Sequence, residues 1–232
     1  MAVAALMAVS VTLGMGIWQM SRAGQKQALQ QRALDRAKLP PLDASALVGL
    51  GPDDAQGLDR RVVLHGHWLH RYTVYLDNRQ MDGKQGFFVL TPLQLANTQH
   101  TVVMVQRGWV QRNFEDRTAL PALPLHTGDV VVEGRIAPNP GKLYELGGQA
   151  EGKIRQNLDL ANFARETGLP LAGFSVLQDG PAGDDSLQRD WPPIDTGVDM
   201  HHGYAFQWFA LSGVIVFLFV WFQIVRRFFH IR

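Results

Sequence analysis

The stretch from Ala205 to Val225, AFQWFALSGVIVFLFVWFQIV, holds no charged side chain. At 1.5 Å rise per residue, about 20 helical residues cover the hydrocarbon core of a bilayer. No water is available there to satisfy backbone N–H and C=O groups, so a lone apolar stretch of this length spans as a helix. Trp208 and Trp221 stand near its ends, and Arg226, Arg227 and Arg232 follow it. Aromatic rings and cations at those places are what a membrane interface selects. Met1 to Met20 is a second charge-free run, closed by Trp18, Gln19 and Arg22. The rival reading, a cleaved signal peptide, wants a Lys or Arg ahead of the run and a small-x-small cleavage site behind it. Neither stands there, so the run is read as a retained anchor.

Two spans organise the whole chain. The expected plan is a first transmembrane helix over residues 1–20 and an outward-facing domain over 21–200. A second transmembrane helix over 201–225 and a tail over 226–232 complete it. The basic tail puts the C-terminus in the cytoplasm, the N-terminus shares that side, and the middle domain lies across the membrane. Arg22, Lys26, Arg32, Arg36 and Lys38 sit on the outer side and run against the positive-inside rule. That rule weakens for long translocated segments. Ser10 and Gly14 in the first span, with Ala205, Ser212 and Gly213 in the second, are small residues of the kind that let membrane helices approach.

The middle, about 180 residues, suffices for one domain with a core of its own. Gln25–Lys38 reads as a helical continuation of the first span, ended by Leu39-Pro40-Pro41. Short runs rich in Val, Tyr, Phe and Thr follow at Arg61–Leu69, Tyr72–Arg79, Gly86–Leu95, Thr101–Gln111 and Asp129–Ala137. Asp82-Gly83, Asn97 and Thr127-Gly128 punctuate them as turns. Leu158–Thr167 reads as a short helix stopped by Gly168, and Phe174–Gln178 as one more strand. Gly180–Gly197 is loop by composition. The fold class is therefore a membrane protein of α+β type. Two transmembrane helices flank a mostly antiparallel β domain with a helical supplement.

Composition removes several functions. The net charge is +1, with no basic run interleaved with aromatics, so nucleic acid is excluded as a partner and the lipid bilayer takes its place. Cysteine is absent, which removes disulfides, cysteine zinc sites, thiol redox chemistry and covalent c-type haem attachment. No G-x-S-x-G elbow or phosphate-cradling glycine loop occurs. The acidic pairs Asp53-Asp54, Glu115-Asp116 and Asp184-Asp185 stand in turn-like contexts and read as solvated charges. An enzyme reading has little to rest on.

Two histidine groups remain. His65 and His67 are two residues apart on an expected strand and share a face, a start on a metal site that lacks evident further ligands. Their bland reading is two histidines on a strand surface. His201 and His202 stand where the second span begins. Tyr204 and Trp208 follow His201 at i+3 and i+7, on its helix face. An imidazole beside aromatics at a membrane surface suits a flat, apolar, iron-containing ligand arriving from the bilayer. The alternative is that these are interfacial side chains with apolar bodies and polar tips.

Four short motifs then fall in a recognisable order. Gly16-Ile17-Trp18-Gln19 with Arg22 and Lys26 comes first; Asp77-Asn78-Arg79, Gly86 and Thr91-Pro92-Leu93 form a central block. Arg107-Gly108-Trp109-Val110 follows, and His201 with Tyr204-Ala205, Gln207-Trp208 and Phe209 closes the series. Over nearly its whole length the chain resembles the Surfeit locus protein family of cytochrome c oxidase biogenesis factors. It departs from the family pattern in Gln111, where proline is common, and in Met15, where leucine is common.

The resemblance implies an inner-membrane assembly factor with its domain on the periplasmic or intermembrane side. The missing Arg-rich presequence points to a bacterial inner membrane, with the domain in the periplasm, over a mitochondrial precursor. Such a protein binds haem A transiently, aids its insertion into the oxidase core subunit, and catalyses no bond change. A haem-independent scaffold for that subunit is the alternative. Subunit I of the oxidase is the implied partner, with haem A synthase as a second. The implied haem-binding residues are His201, Tyr204, Gln207, Trp208, Trp18 and Arg22, with His201 as the axial ligand of the iron. His202 falls at a variable place. Arg79 and Arg107 read first as structural forks and second as partners for haem propionates or for another protein.

Overall fold

The computed structural model describes residues 2–50, 57–96, 100–113, 115–116, 119–140, 152–182, 185–191 and 198–226, less the side chain of Ile224. Asp53-Asp54, Asn97, Asp184, residues 192–197 and the tail arginines 227 and 232 lie outside these. The chain divides into two compact units, one of Met1–Arg32 with Pro193–Arg232 and one of Ala33–Pro192.

In the first unit, helix α1 (Ala2–Ala37) begins with the first apolar run. Helix α4 (Val198–Val220) carries the second and ends in a π-helical turn over Trp221–Val225. Both helices are long and apolar enough to cross a membrane. Their protected positions form narrow seams. On α1 the seam runs through Ala5, Val9, Thr12, Gly16, Gln19 and Ala23, with Ala8 and Met15 at its margin; on α4 it runs through His201, Ala205, Trp208, Ser212, Ile215 and Phe219. Steps of three and four alternate, which is the 3.5-residue period of helices packed along one another. Gly16 lies against Phe209: a Cβ there would come within 2.5 Å of Phe209 Cε1. Thr12 keeps its hydroxyl within its own helix, donating to the carbonyls of Ala8 (2.9 Å) and Val9 (3.0 Å). The small residues at the seam thus include Gly16, Ala205 and Ser212, with Ala5 and Ala23. Ser10 is exposed, and added Cβ atoms at Gly14 and Gly213 would meet nothing within 4 Å, because these positions fall off the 3.5-residue stripe.

The second unit contains α2 (Ala44–Val48), capped by Asp43 accepting the Ala46 N–H, and a sheet of seven strands. They are β1 (Arg61–Trp68), β2 (Val74–Met81), β3 (Lys84–Leu95), β4 (Val102–Gln111), β5 (Val130–Ala137), β6 (Ile154–Arg155) and β7 (Leu171–Gln178). Helix α3 (Leu160–Thr167) precedes β7. The sheet closes on itself. β1 pairs β5 from Arg61 to Gly66 and β3 from Gly66 to Trp68, and β3–β4, β4–β7 and β7–β5 complete the ring. Of the ring pairings only β4–β7 is parallel. Five strands with this connectivity make a Greek-key barrel of the OB type. β2 adds to β3 outside the ring, and β6 adds to β2 in parallel.

Alternation places one face of each ring strand inside. Val62, Leu64 and Trp68 of β1, Val103 and Val105 of β4, Val132 and Ile136 of β5, and Phe174 and Val176 of β7 share one buried cluster. A second cluster joins Val74, Leu76, Leu90 and Met104 to Leu158, Leu160 and Phe163 of α3 and its lead-in. Asp159 caps α3, and Gly168 ends it in the left-handed conformation (φ 71°), as the sequence leads one to expect. Arg155 and Glu166 pair across the N- and C-terminal sides of α3. β2 and β3 meet through Asp82-Gly83, both at positive φ, between the paired Met81 and Lys84. That is the two-residue type I′ hairpin.

The strand expectations hold with shifted ends. β2 starts later because His70–Tyr72 make a 3-10 turn, and β7 starts earlier at Leu171. The two-residue β6 and five-residue α2 are too short to show a period in sequence.

Gly86 on β3 sits where a Cβ would lie 2.2 Å from the Val110 carbonyl oxygen and 2.5 Å from Trp109 Cε2. Gly86→Ala is therefore expected to destabilise the β domain by about 1–3 kcal/mol, the usual cost of overpacking. Denaturant unfolding followed by tryptophan fluorescence measures it.

Candidate functional site

Residues that stand far apart in sequence converge in the β domain. Both β2 and β4 carry one extra residue relative to β3, between Leu76 and Arg79 and between Gln106 and Gly108. Asn78 takes a positive φ (59°) at the first bulge. A bulge bends its strand and re-aims the side chain beside it. The two bulged strands are tied directly, since Trp109 Nε1 donates to the Arg79 carbonyl at 3.0 Å. Gly86 lies under that indole. Thr91 Oγ1 and Thr73 Oγ1 bond each other at 3.0 Å inside.

The extra residue on β4 is Arg107, whose guanidinium is buried over the Trp68 ring at 4.7 Å. Its Nη2 donates to Asp185 Oδ2 at 3.1 Å, and Arg189 Nη2 donates to the same oxygen at 2.5 Å. Arg189 Nε also donates to the Arg107 carbonyl at 2.7 Å. The segment around Arg189 is laced to β4, with Gln188 exchanging backbone bonds with Trp109 at 2.7 and 2.9 Å. Trp191 continues the strap, its Nε1 donating to the Gln178 carbonyl at 2.8 Å and its ring meeting Phe88 edge-on. Burial lowers the basicity of Arg107, and Asp185 pulls it partly back. Arg79 is lowered by burial alone while its Nη2 donates to the Gln156 carbonyl at 2.9 Å. Both remain cations, as arginine does in proteins.

These contacts make Arg79 and Arg107 forks that hold the domain together. They also correct the reading of Asp185, which is not a solvated loop charge. Its side chain is 8% exposed and sits between two guanidiniums. The composition of Gly180–Gly197 says loop, and among its described residues no helix or ladder strand forms. Leu187 is nonetheless fully buried.

Among the described residues of the membrane unit, one side-chain hydrogen bond joins the two helices. His201 Nδ1 lies 2.7 Å from Gln19 Oε1. An amide oxygen only accepts, so Nδ1 is the donor in this contact, and in the neutral ring the lone pair then falls on Nε2. Ala205 and Gly16, both buried and small, leave room for this approach. His202, one residue on, is exposed. The helix therefore separates the two histidines by environment. Trp208 lies with His201 on the protected seam, while Tyr204 and Gln207 are exposed. Trp18 is exposed with Arg22 over its ring at 5.8 Å, and Arg22 Nη1 donates to Gln25 Oε1 at 3.1 Å. Sequence reasoning named Gln19 within a motif but gave it no role. The available signal was its place seven residues after Thr12, on the seam that the small residues trace.

His65 and His67 share an outward face of β1 and are exposed. His67 Nδ1 is 2.8 Å from Asp129 Oδ1, making a pair; His70 Nε2 is 2.9 Å from the His126 carbonyl. No group of three or more His, Cys, Asp or Glu side chains is placed to hold a metal among the described residues.

Residues 6–213 match the model of the SURF1 family. A SURF1-like protein of Dictyostelium discoideum is 34% identical over 105 residues, which is 43% of this chain and 38% of the relative. The cytochrome oxidase assembly protein SHY1 of Saccharomyces cerevisiae is 25% identical over 178 residues, 73% of this chain and 44% of the relative. A SURF1-like protein of Drosophila melanogaster is 26% identical over 243 residues, 96% of this chain and 77% of the relative. The chain thus spans less than half the length of the first two.

Two carboxylates beside Arg107 should respond oppositely to amidation. Asp185→Asn leaves buried guanidiniums without their counter-ion and is expected to cost about 3–5 kcal/mol. Asp179 has its carboxyl pushed up by burial, against the pull of Arg135 and Arg61. A carboxyl with a raised folded pKa favours folding when protonated, and that contribution is lost as pH rises through the folded value. Asp179→Asn should therefore stabilise at neutral pH, with the gain vanishing below the unfolded carboxylate range. Thermal unfolding of both variants across pH measures this.

Proposed function

Because the chain belongs to the SURF1 family, we propose that it works in cytochrome oxidase assembly from within a membrane, holding haem A on His201 and passing it to the oxidase core subunit. The observation that carries this reading is the Gln19–His201 bond. Metal-ligating histidines commonly engage their other ring N–H with an oxygen acceptor, which fixes tautomer and ring orientation. Gln19 does this for His201, whose remaining nitrogen is the neutral lone pair that haem iron takes. The donor set therefore fits a haem. His201 would hold the iron, with Trp208 on the same seam and Tyr204, Gln207, Trp18 and Arg22 at the same end of the helix pair. When bound, the haem supplies the iron that His201 ligates, and the protein changes no bond.

A carrier must release what it binds. One neutral imidazole, oriented by a neutral amide, gives a weaker hold than a pair of axial histidines. The name of the yeast relative supports the assembly role, and the two spanning helices support a membrane site of action. The basic residues after the second span favour a cytoplasmic C-terminus with the β domain across the membrane. Subunit I of the oxidase would be the receiver and haem A synthase the source.

The experiment is the absorption spectrum of protein purified from cells that make haem A. His201→Ala should lose the pigment and His202→Ala keep it; the reverse pattern sinks the assignment. Pigment-free wild-type protein that still co-purifies with subunit I would favour a haem-independent scaffold. Gln19→Leu should weaken haem retention by about 10–100-fold, the usual effect of removing a ligand's orienting partner. In haem-free protein, nitrogen-15 NMR of His201 should show the Nδ1-protonated tautomer, and Gln19→Leu should shift it toward Nε2–H.

A further inference from the structure

At Gly66 strand β1 changes partners. β5 pairs with it as far as Gly66 and β3 takes over from the same residue, with Val130 on one side and Leu95 on the other. The Ala96 N–H also donates to the His65 carbonyl at 2.8 Å. A Cβ on Gly66 would lie 2.1 Å from the Gln94 carbonyl oxygen, so glycine is what lets β1 and β3 close up here. The backbone of His65-Gly66-His67 is thus held from both edges, and both imidazoles are exposed on one outward face. Two residues of strand set their Cα atoms about 6.6 Å apart, a gap that two rings leaning together close on one ion.

One of the two rings is already oriented. His67 Nδ1 lies 2.8 Å from Asp129 Oδ1. A carboxylate oxygen only accepts, so Nδ1 is the donor in this contact, and in the neutral ring the lone pair falls on Nε2. Metal-ligating histidines commonly give their other N–H to a carboxylate in this way, which fixes the ring and strengthens it as a ligand. As a brace the pair adds little. Its side chains are 56% and 75% exposed, an exposed ion pair contributes little stability, and the ladder already joins the two strands beside it.

We propose that His65 and His67 chelate one divalent cation of the copper(II) type, His67 through Nε2, with Asp129 as the positioning residue behind it. Among the described residues no group of three His, Cys, Asp or Glu side chains stands ready around an ion, so water fills the remaining positions. Two protein ligands are too few for a structural zinc site, which is closed and tetrahedral. Two imidazoles with water oxygens make the tetragonal nitrogen and oxygen set that copper(II) and nickel(II) adopt, and copper(II) is the more tightly held of these. The site belongs to the β domain and stands whether or not His201 binds haem.

The test titrates copper(II) into the full chain, free of any histidine tag, in lipid nanodiscs with glycine present as a competing chelator. Electron paramagnetic resonance reads the bound metal. One copper per chain is expected, its signal split by two imidazole nitrogens. His65→Ala and His67→Ala should each lose it to glycine, while His126→Ala and His202→Ala, at other exposed histidines, keep it. Asp129→Ala should weaken binding by about 10–100-fold, the usual effect of removing a ligand's orienting partner. Asp129→Asn, whose amide oxygen accepts the same proton, should recover part of that loss. In metal-free protein, nitrogen-15 NMR of His67 should show Nδ1–H, shifting toward Nε2–H in Asp129→Ala. Copper that stays with glycine in the wild type, or that survives the His65→Ala and His67→Ala changes together, overturns the site. Zinc that displaces copper at equal concentration overturns the tetragonal assignment. A folded Asp129→Ala protein that binds copper as the wild type does overturns the role of Asp129.

Discussion

Two buried guanidiniums share one carboxylate in this protein, and much of the β domain is arranged around that fact. Arg107 reaches Asp185 only because β4 gains a residue at the bulge, which turns the side chain toward Trp68. Arg189 reaches the same oxygen only because its segment lies along β4, paired to Trp109 by two backbone bonds. Removing the shared ion would cut the tie between a strand in the middle of the barrel and the segment that leaves the domain. A buried ion pair contributes little net stability when its desolvation is counted, yet it enforces one arrangement because every alternative leaves a charge unpaired. The triad is better understood as fixing where the strap runs than as adding free energy.

The same logic explains why three sequence motifs, each too short to mean much alone, belong together. Asp77-Asn78-Arg79 supplies the bulge and the carbonyl, Gly86 supplies an empty space, and Arg107-Gly108-Trp109 supplies the indole that fills it and bonds that carbonyl. Each needs the other two. A Cβ on Gly86 displaces Trp109, and a displaced Trp109 leaves the Arg79 carbonyl without its indole partner. Such mutual dependence confines residues to type without any of them touching a ligand, so a motif of this kind is no sign of chemistry by itself.

Much of this was legible in the sequence, for reasons that also mark its limits. The spans follow from charge-free length, and the hairpin at Asp82-Gly83 and the stop at Gly168 follow from local φ preferences. Strand existence followed from composition and alternation. Closure of the barrel did not, because the β1–β3 pairing involves three residues and has no local signature. Asp185 looked like any loop aspartate; its partner Arg107 lies 78 residues away in sequence. The histidine pair was found by position and divided by the resemblance, but the partner of His201, Gln19, lies 182 residues away. Periodicity carried that information in part, since Thr12, Gly16 and Gln19 share one seam, yet nothing local says that an amide on a seam will meet an imidazole.

The two polar centres differ in kind, and the surrounding medium decides how. In the β domain a guanidinium can be buried, because backbone carbonyls, an indole face and a carboxylate are all at hand. Between membrane helices a full charge is expensive, and the contact formed there joins an imidazole to a neutral amide, not to a carboxylate. Neutrality has a chemical consequence. A carboxylate partner would draw the Nδ1 proton and make Nε2 a stronger donor, suited to a permanent metal site, whereas an amide orients the ring through a neutral hydrogen bond. A site meant to keep a metal would gain from the carboxylate; a site meant to pass one on would not. Under the haem role proposed for His201, glutamine at position 19 suits a site that releases its ligand.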